Sequence, residues 1–376
     1  MKTNRIFWSL TSLLILASMI LSACGGGAAT PAPAPEQPQQ PAAEVPAAEV
    51  PVVEAPVVEV PANLPPAGPE LAEAYTGKFK GTVVTMAGPF VDNDAVKFEQ
   101  SIAAFEQATG IDIQYSGSKE FEASIRISIE GGSAPDIVDF PQPGLLANFV
   151  KEGRVVDLNN VINPDWLKQN YSQAWLEMGT MEGPNGPVTA GIWARANGKS
   201  LVWYPKKAFD EAGYQIPETW DDLIALSDEI LADGDAPWCV GIESGAATGW
   251  AMTDWIEETM LRTTSLENYD KWVTGELQFD SPEVRTALKY VTDIWFKDGY
   301  VYGGRASIAT ISFGDAPKPM FENPPKCWLH KQGNFITSFF PEGLEAGEDY
   351  DFFYLPPIDP AYGKPVLGAE IGRAHV

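Results

Sequence analysis

Proline recurs at every fifth residue between residues 42 and 61, and this repeat limits regular structure more than any other feature of the chain. The four units are Ala-Ala-Glu-Val-Pro twice, then Val-Val-Glu-Ala-Pro and Val-Val-Glu-Val-Pro. Each proline removes a backbone donor and restricts the preceding residue, so neither helix nor strand can propagate. With its flanks the repeat predicts a disordered stalk over residues 24–74, extended at about 3.1 Å per residue.

The segment before the stalk has the order of a secretory signal. Lys2 and Arg5 precede an apolar run that ends at Ile20, and small residues follow. This order is typical of a signal peptide rather than a membrane-spanning helix. Leu21-Ser22-Ala23-Cys24 resembles a bacterial lipobox, which predicts removal of residues 1–23 and lipidation of Cys24. The alternative is an ordinary signal peptide with an incidental cysteine.

These features predict a protein on the outer side of the cytoplasmic membrane, held there by its lipid alone. The formal net charge is −26 at pH 7, which argues against nucleic acid or an anionic membrane surface as a partner. The charge favours solubility and neutral or cationic ligands. We expect a monomer.

The chain has three cysteines. If Cys24 is lipidated, Cys239 and Cys327 remain as a pair in an oxidising compartment, where a disulfide is the default. A two-cysteine metal site is the alternative and would need further ligands. The histidines are His330 and His375, and neither Cys-x-x-Cys nor His-Glu-x-x-His occurs. We therefore favour the disulfide and expect neither a metal nor a cofactor.

From about Tyr75 the composition is that of a globular protein, and roughly 300 residues usually form two domains. Between residues 81 and 140, short β-branched runs alternate with helical periodicity, and Asp94 can cap the first helix. This β-α-β-α-β order predicts a largely parallel sheet with helices on both faces.

A second α/β region follows the first. Residues 200–204 resemble a strand, Thr219 opens a capping box, and Ser281 is an N-cap before Pro282. Two α/β units would leave a cleft between them, and small-molecule sites usually form in such clefts.

Several sequence landmarks occur in the order and spacing of a known family. They are Thr109–Ile113, Gly132–Ile137, Leu201–Lys206 leading to Phe209 and Glu211–Tyr214, and Pro217–Leu223. Together they resemble the family 1 extracellular solute-binding proteins, the sugar-capturing subunits of ABC importers. Further stretches are similar to the α-glucoside-type branch: Pro237–Gly245, Ala247–Trp250, Thr253–Trp255, Phe313–Phe321 and Cys327–His330.

The resemblance covers residues 80 to about 369 and implies a two-lobed, type II periplasmic-binding-protein-like α/β fold with a hinge. It implies a binding protein rather than an enzyme, which delivers a carbohydrate to membrane permease subunits. The lobes would comprise residues 75–195 and 196–366. Residues 367–376 read as a truncated crossover and an adapter-derived, non-native tail, which would leave the C-terminal part of the first lobe missing.

Aromatic residues and carboxylates suggest where a sugar would bind. Aromatic planes suit the apolar faces of sugars, and polar groups at their edges suit hydroxyls. Trp250 and Trp255 lie near a glycine-rich turn beside Asp254, which favours an exposed platform. Trp220 and Trp295 have core-facing helical spacing instead.

The resemblance adds further candidates, because in such proteins the first-lobe contacts come from loops after strands. Trp328 matches a position where an aromatic residue often lines the cleft. The candidate ligand-binding residues are Phe90, Asp92, Asp139, Phe140, Gln142, Trp250, Asp254, Trp255 and Trp328.

We expect the ligand to be a neutral α-linked glucose oligosaccharide. A polyamine is the alternative, because carboxylates and aromatic rings also suit cations. A surface glycosidase would need only two carboxylates and is a further alternative. A serine hydrolase is not indicated, because no Gly-x-Ser-x-Gly occurs and His330 is the only histidine outside the tail. A structural or adhesive protein agrees with the stalk but not with the two-lobed pattern.

Overall fold

The computed structural model describes residues 69–375 and the side chains of residues 70–368. The predicted signal peptide, the lipidated Cys24 and most of the predicted stalk lie outside these residues. Residues Pro69–Tyr75 form helix α1, so the prediction that the stalk stays disordered to residue 74 is wrong at this end. Proline at the first position and the helix-favouring sequence after it explain the helix, and the Tyr75 ring packs edge-on against Phe105 at 6.2 Å.

The strands of residues 69–375 are β1 Val83–Gly88, β2 Asp112–Gly117, β3 Ile137–Phe140, β4 Thr180–Gly183, β5 Gly186–Thr189, β6 Ile192–Gly198, β7 Leu201–Tyr204, β8 Ala236–Trp238, β9 Cys327–Lys331, β10 Asp351–Tyr354 and β11 Gly368–His375. The further helices are α2 Asp92–Thr109, α3 Phe121–Glu130, α4 Pro143–Lys151, α5 Pro164–Asn170, α6 Gln173–Gly179, α7 Lys206–Ala212, α8 Trp220–Ala232, α9 Trp250–Thr263, α10 Leu266–Val273 and α11 Pro282–Trp295. No helix among residues 69–375 has the length and apolar character needed to cross a membrane.

Two main sheets confirm a two-lobed α/β architecture. The first sheet has the order β2-β1-β3-β11-β6, and the second has the order β10-β7-β9-β8. We call each sheet with its flanking helices the first lobe and the second lobe. A separate two-stranded hairpin joins β4 to β5.

The strand directions correct the prediction of mostly parallel sheets. Strand β1 pairs in parallel with β2 and β3, but β11 is antiparallel to both β3 and β6. In the second sheet β7 is antiparallel to β9 and β10, and β8 pairs in parallel with β9. Both sheets are therefore mixed. Parallel neighbouring strands need a long crossover connection. Strand β11 instead enters the first sheet from the second lobe and runs antiparallel to its neighbours β3 and β6.

Local helix signals are largely confirmed. The Thr219 and Asp222 side chains form the predicted capping box of α8, and the Ser281 hydroxyl accepts from the Val284 amide at the start of α11. Helix α2 starts at Asp92 and no side chain caps it, so the prediction that Asp94 caps this helix is wrong. The Asp94 carboxylate accepts from Arg195 instead.

The chain crosses from the first sheet to the second at Lys199–Ser200, between β6 and β7, and returns before β11. Gly198 of β6 and Gly368 of β11 face each other in the register of the two crossing strands. The predicted lobe boundaries at residues 195 and 366 remain predictions.

The predicted disulfide is confirmed. Cys239 and Cys327 are bonded, with their Cα atoms 5.4 Å apart. Because both sulfurs are consumed in the bond, the alternative of a two-cysteine metal site is wrong.

Candidate ligand-binding site

A cavity of about 390 Å³ lies between the two lobes. Its first wall comes from the loop after β1, from strand β3 and from helix α2, its floor from strand β6, and its second wall from the turn Asn334–Phe339. A neighbouring cavity of about 400 Å³ shares Arg195, but all of its lining residues fall between residues 170 and 196. Because the 390 Å³ cavity, unlike this neighbour, is lined by both lobes, we take it as the candidate site.

The charged groups of this cavity balance one another. Asp94, Lys97, Asp139 and Arg195 all line it. Arg195 donates to the Asp94 carboxylate at 2.8 Å, and the two side chains are 28% and 10% exposed. The Arg195 guanidinium also lies 5.1 Å from the centre of the Phe90 ring. The lining thus combines two cations and two carboxylates with an aromatic face.

Polar contacts join the two lobes beside the cavity. The Lys97 ammonium of α2 donates to the Ser338 hydroxyl at 2.9 Å. The Ala246 amide of the second lobe donates to the Glu120 carboxylate of the first at 3.2 Å. Gly245 has φ +54°, and a Cβ there would lie 2.2 Å from a Glu120 carboxylate oxygen. Glycine at position 245 therefore allows this close approach between the lobes.

Aromatic rings form the second-lobe side. Phe335 lines the cavity, and the half-buried Trp250 ring lies 5.8 Å from Phe335 and 5.1 Å from Phe313, measured between ring centres. Both pairs have the tilted or edge-on geometry that aromatic rings favour. Trp250 thus supports the wall from behind Phe335.

Charged residues are buried behind this aromatic wall. Lys199 donates to both carboxylate oxygens of Asp254, at 3.0 and 2.8 Å. Glu258 pairs with Arg262 and lies 3.6 Å from the Lys331 ammonium, and all three side chains are at most 1% exposed. Burial lowers the pKa of both Arg262 and Lys331, and the Glu258 carboxylate opposes this lowering.

Two further groups in this region have shifted pKa values. Burial raises the pKa of Glu257 to about 7, and the neighbouring Asp254 carboxylate adds to the rise. Burial lowers the pKa of His330 to about 4. The His330 ring lies 2.8 Å from the Cys239 carbonyl through Nδ1, which is the contact of a neutral ring that donates from this nitrogen. Because its ring is buried and its pKa is low, His330 is a weak and enclosed base, which does not suit catalysis at pH 7.

The structure brings two of the predicted site residues to the cavity. Phe90 and Asp139 line it, and Trp250 reaches it through Phe335. Their contact with a ligand remains a prediction.

Other predicted residues lie in the core. Phe140 packs against Phe121 and Phe149 inside the first lobe. Trp255 is 3% exposed and packs against other tryptophans, so the prediction of an exposed platform there is wrong. Trp328 is buried, and its indole nitrogen donates to Asp235 at 3.1 Å. The same apolar surface that suits a sugar also suits a core, which is why sequence did not separate the two.

The remaining predicted residues have other partners. Asp92 is exposed, begins helix α2 with φ 52°, and lies 3.9 Å from Lys119. Gln142 is exposed and donates to Glu122 at 3.1 Å. Both carboxylate oxygens of Asp254 accept from Lys199, and contact of Asp254 with a ligand remains a prediction.

Sequence reasoning missed several lining residues, namely Asp94, Lys97, Phe98, Arg195, Asn334, Phe335 and Ser338. In the sequence Asp94 has the pattern of a helix cap rather than of a binding residue. Arg195 lies on strand β6, whose sequence contains no motif that marks a binding site. No local pattern marks residues 334–338, which reach the cavity because the chain folds back onto β6, where the Asn334 side chain accepts from the Gly198 amide at 2.8 Å.

Comparison with known proteins adds a family assignment to this geometry. The sequence model described as bacterial extracellular solute-binding protein matches residues 92–369. The alpha-glucosides-binding periplasmic protein AglE of Rhizobium meliloti (strain 1021) is 44% identical over 299 residues, which cover 77% of this chain and 64% of AglE. The chain therefore spans less than two thirds of the length of this relative.

A second relative and a solved structure agree with the fold. The osmoprotective compounds-binding protein GgtB of Synechocystis sp. (strain ATCC 27184 / PCC 6803 / Kazusa) is 41% identical over 286 residues, 76% of this chain and 67% of GgtB. The bacterial solute receptor AcbH, described as having an exclusive preference for β-D-galactopyranose, superposes with a TM-score of 0.63. The alignment covers 78% of this chain and 71% of AcbH at 18% identity. At that identity the likeness concerns the fold alone.

Proposed function

The chain belongs to the bacterial extracellular solute-binding protein family, and on this basis we propose that it captures a neutral sugar between its lobes and delivers it to an ABC importer. The sugar class we propose is an α-glucoside or a short α-linked oligosaccharide. The name of AglE supports this class, and the name of GgtB supports a small osmoprotective solute of similar character. Binding leaves the sugar intact.

The charge balance of the cavity carries this proposal. Two carboxylates, Asp94 and Asp139, and two cations, Lys97 and Arg195, line the same space, so the lining has no formal net charge. A polyamine would need an excess of carboxylates to replace the hydration of its cations. A neutral polyhydroxy ligand instead uses both kinds of group, because each sugar hydroxyl can donate to a carboxylate and accept from a cation.

The aromatic residues supply the other half of sugar recognition. Phe90 and Phe335 line opposite sides of the cavity, and they come from the first and second lobe respectively. Apolar ring faces there would cover the C–H faces of a sugar ring while the charged groups take its hydroxyls. A ligand that touches both walls stabilises the arrangement in which they are close.

We further propose that the protein acts as a lipid-anchored monomer. The proposal rests on the lipobox-like sequence before Cys24 and on the proline-rich stalk after it, which would let the head reach a permease pair. Substitution Cys24→Ser should release the protein from the membrane fraction without changing its ligand binding. Retention of the Cys24→Ser variant in membranes would contradict the lipid anchor.

A thermal-shift screen tests the ligand class directly. Purified protein is heated with maltose, trehalose, sucrose or spermidine, each over a range of concentrations. A ligand present at about a hundred times its Kd stabilises the folded state by roughly 2.7 kcal/mol. We expect a rise in Tm with at least one α-glucoside. A rise with spermidine and with none of the sugars would replace the proposal by the polyamine alternative.

A further inference from the structure

Helix α9 presents a buried polar face to the segments that connect the lobes. Asp254, Glu258 and Arg262 are spaced four residues apart and so lie on one side of the helix. All three are at most 7% exposed. A buried polar face on a helix is costly unless every group has a partner.

The partners of this face belong to both crossing segments. On the first, Lys199 donates to Asp254, and the Ser200 hydroxyl donates to Glu258 at 3.0 Å. On the second, the Leu367 amide donates to the Ser200 hydroxyl at 2.7 Å, and Arg262 donates to the Pro365 carbonyl at 2.9 Å. Both crossing segments are thus fixed to one helix of the second lobe.

Lys199 is the member of this network that also contacts the aromatic wall. Its ammonium lies 4.9 Å from the centre of the Trp250 ring, and Trp250 is the first residue of the same helix. The side chain is 13% exposed, so the cation–π contact is largely shielded from water and correspondingly stronger. One side chain of the crossing segment therefore holds both the carboxylate and the indole.

We propose that Lys199 is a positioning residue, which holds the Trp250 ring against Phe335 and so sets the second-lobe wall of the cavity from the crossing segment. Stability alone does not explain the arrangement, because a buried ion pair contributes less than well-packed apolar residues would. The geometry is specific, since the ammonium binds both Asp254 oxygens and faces the indole at once. The consequence for sugar affinity rests on the proposed function, whereas the placement of Trp250 does not.

The test compares Lys199→Met, Lys199→Arg and the double variant Lys199→Met/Asp254→Asn. Lys199→Met leaves a buried carboxylate without its cation and can unfold the lobe for that reason alone. The double variant also removes the negative charge of Asp254, so it leaves no unpaired buried charge and can be tested in the folded state. The readout is acrylamide quenching of the Trp250 emission, obtained by subtracting a matched chain that carries Trp250→Phe.

We expect the Trp250 quenching constant to rise at least twofold in the double variant and to return towards the original value in Lys199→Arg, because a guanidinium can bind a carboxylate and stack on an indole. Lys207, which pairs with Asp349 at 2.8 Å on the surface, provides the control, and Lys207→Met should change nothing. Unchanged quenching in the double variant would overturn the proposal.

A maltose titration of the same variants adds the functional arm. The double variant should bind maltose roughly three- to thirtyfold more weakly than the original chain, and Lys199→Arg should recover most of the loss. If the original chain does not bind maltose, the proposed sugar class fails, while the quenching result still decides the role of Lys199. If quenching rises but maltose affinity is unchanged, Lys199 does not act on the cavity, and the proposal is overturned.

Discussion

Arg195 of strand β6 donates to the Asp94 carboxylate of helix α2 at 2.8 Å, 101 residues away in sequence. The pair joins the floor of the interlobe cavity to its first wall. It also neutralises two of the four charges of the lining before a ligand arrives. The pair is thus central to both the shape and the ligand preference of the site.

Replacing Arg195 should weaken sugar binding and change the charge preference of the cavity. Arg195→Leu removes one cation and leaves Asp94 and Asp139 in excess, so maltose affinity should fall by about 2 kcal/mol or more while affinity for spermidine rises. Isothermal titration calorimetry measures both. Arg285→Leu is the control, because Arg285 is 70% exposed and forms a surface ion pair with Asp280 at the long distance of 3.8 Å. Equal maltose affinity in Arg195→Leu would remove this residue from the site.

Trp250 and Trp255 should respond differently to the same substitution. Trp250→Ala removes a half-buried ring beside Phe335 and should lower sugar affinity by about 1–3 kcal/mol with a modest effect on folding. Trp255→Ala empties a core position that is 3% exposed and should cost about 3–5 kcal/mol of unfolding free energy. Urea denaturation and calorimetry on both variants separate the two effects. A loss of sugar affinity in Trp255→Ala with little loss of unfolding free energy would show that Trp255 faces the ligand.

Sequence could predict the residues whose role depends on local pattern. The Thr219 capping box and the Ser281 N-cap are fixed by neighbours within four residues, and the structure shows both. The Cys239–Cys327 disulfide could be predicted because only one pair remained after Cys24 was set aside.

Residues whose role depends on distant neighbours could not be predicted in the same way. Asp254 stands beside two tryptophans in sequence, yet its environment is decided by Lys199, 55 residues earlier. Phe335 and Ser338 reach the cavity only through the fold of the second lobe. Strand direction in the second sheet likewise depends on how β9 and β10 return to β7 rather than on their own residues.

Because His330 is buried as a neutral ring, the free energy of unfolding should decrease as the pH falls. Its folded-state pKa is about 4, below the value of about 6.5 in an unfolded chain. Between these two pH values the unfolded state therefore binds more protons than the folded state. The contribution of His330 to the unfolding free energy is fully present above pH 6.5, and about 3 kcal/mol of it is lost as the pH falls towards 4. His330→Gln should lose this part of the pH dependence.

Urea denaturation of both proteins at pH 7, 5.5 and 4.2 provides the comparison. Glu257, with its pKa raised to about 7, contributes in the opposite direction, because its stabilisation is present at low pH and is lost as the pH rises from about 4.5 to 7. The difference between the two proteins at each pH isolates His330. Parallel pH profiles would contradict a buried neutral ring.

Removing the disulfide should destabilise the second lobe. Cys239 and Cys327 are 88 residues apart, and a cross-link that closes a long loop typically contributes 2–4 kcal/mol through the entropy of the unfolded chain. The double variant Cys239→Ser/Cys327→Ser should lower the unfolding free energy by about this amount. Denaturation of the original protein with and without reductant should give the same difference, and no effect of either change would contradict a formed disulfide.

Calorimetric titration with maltose, followed by recovery of the sugar, tests whether the chain is a binding protein for neutral sugars. We expect saturable binding of one maltose per chain, little heat from spermidine, and maltose recovered intact after prolonged incubation. Binding of spermidine but of no α-glucoside, or recovery of maltose as glucose, would contradict a binding protein for neutral sugars.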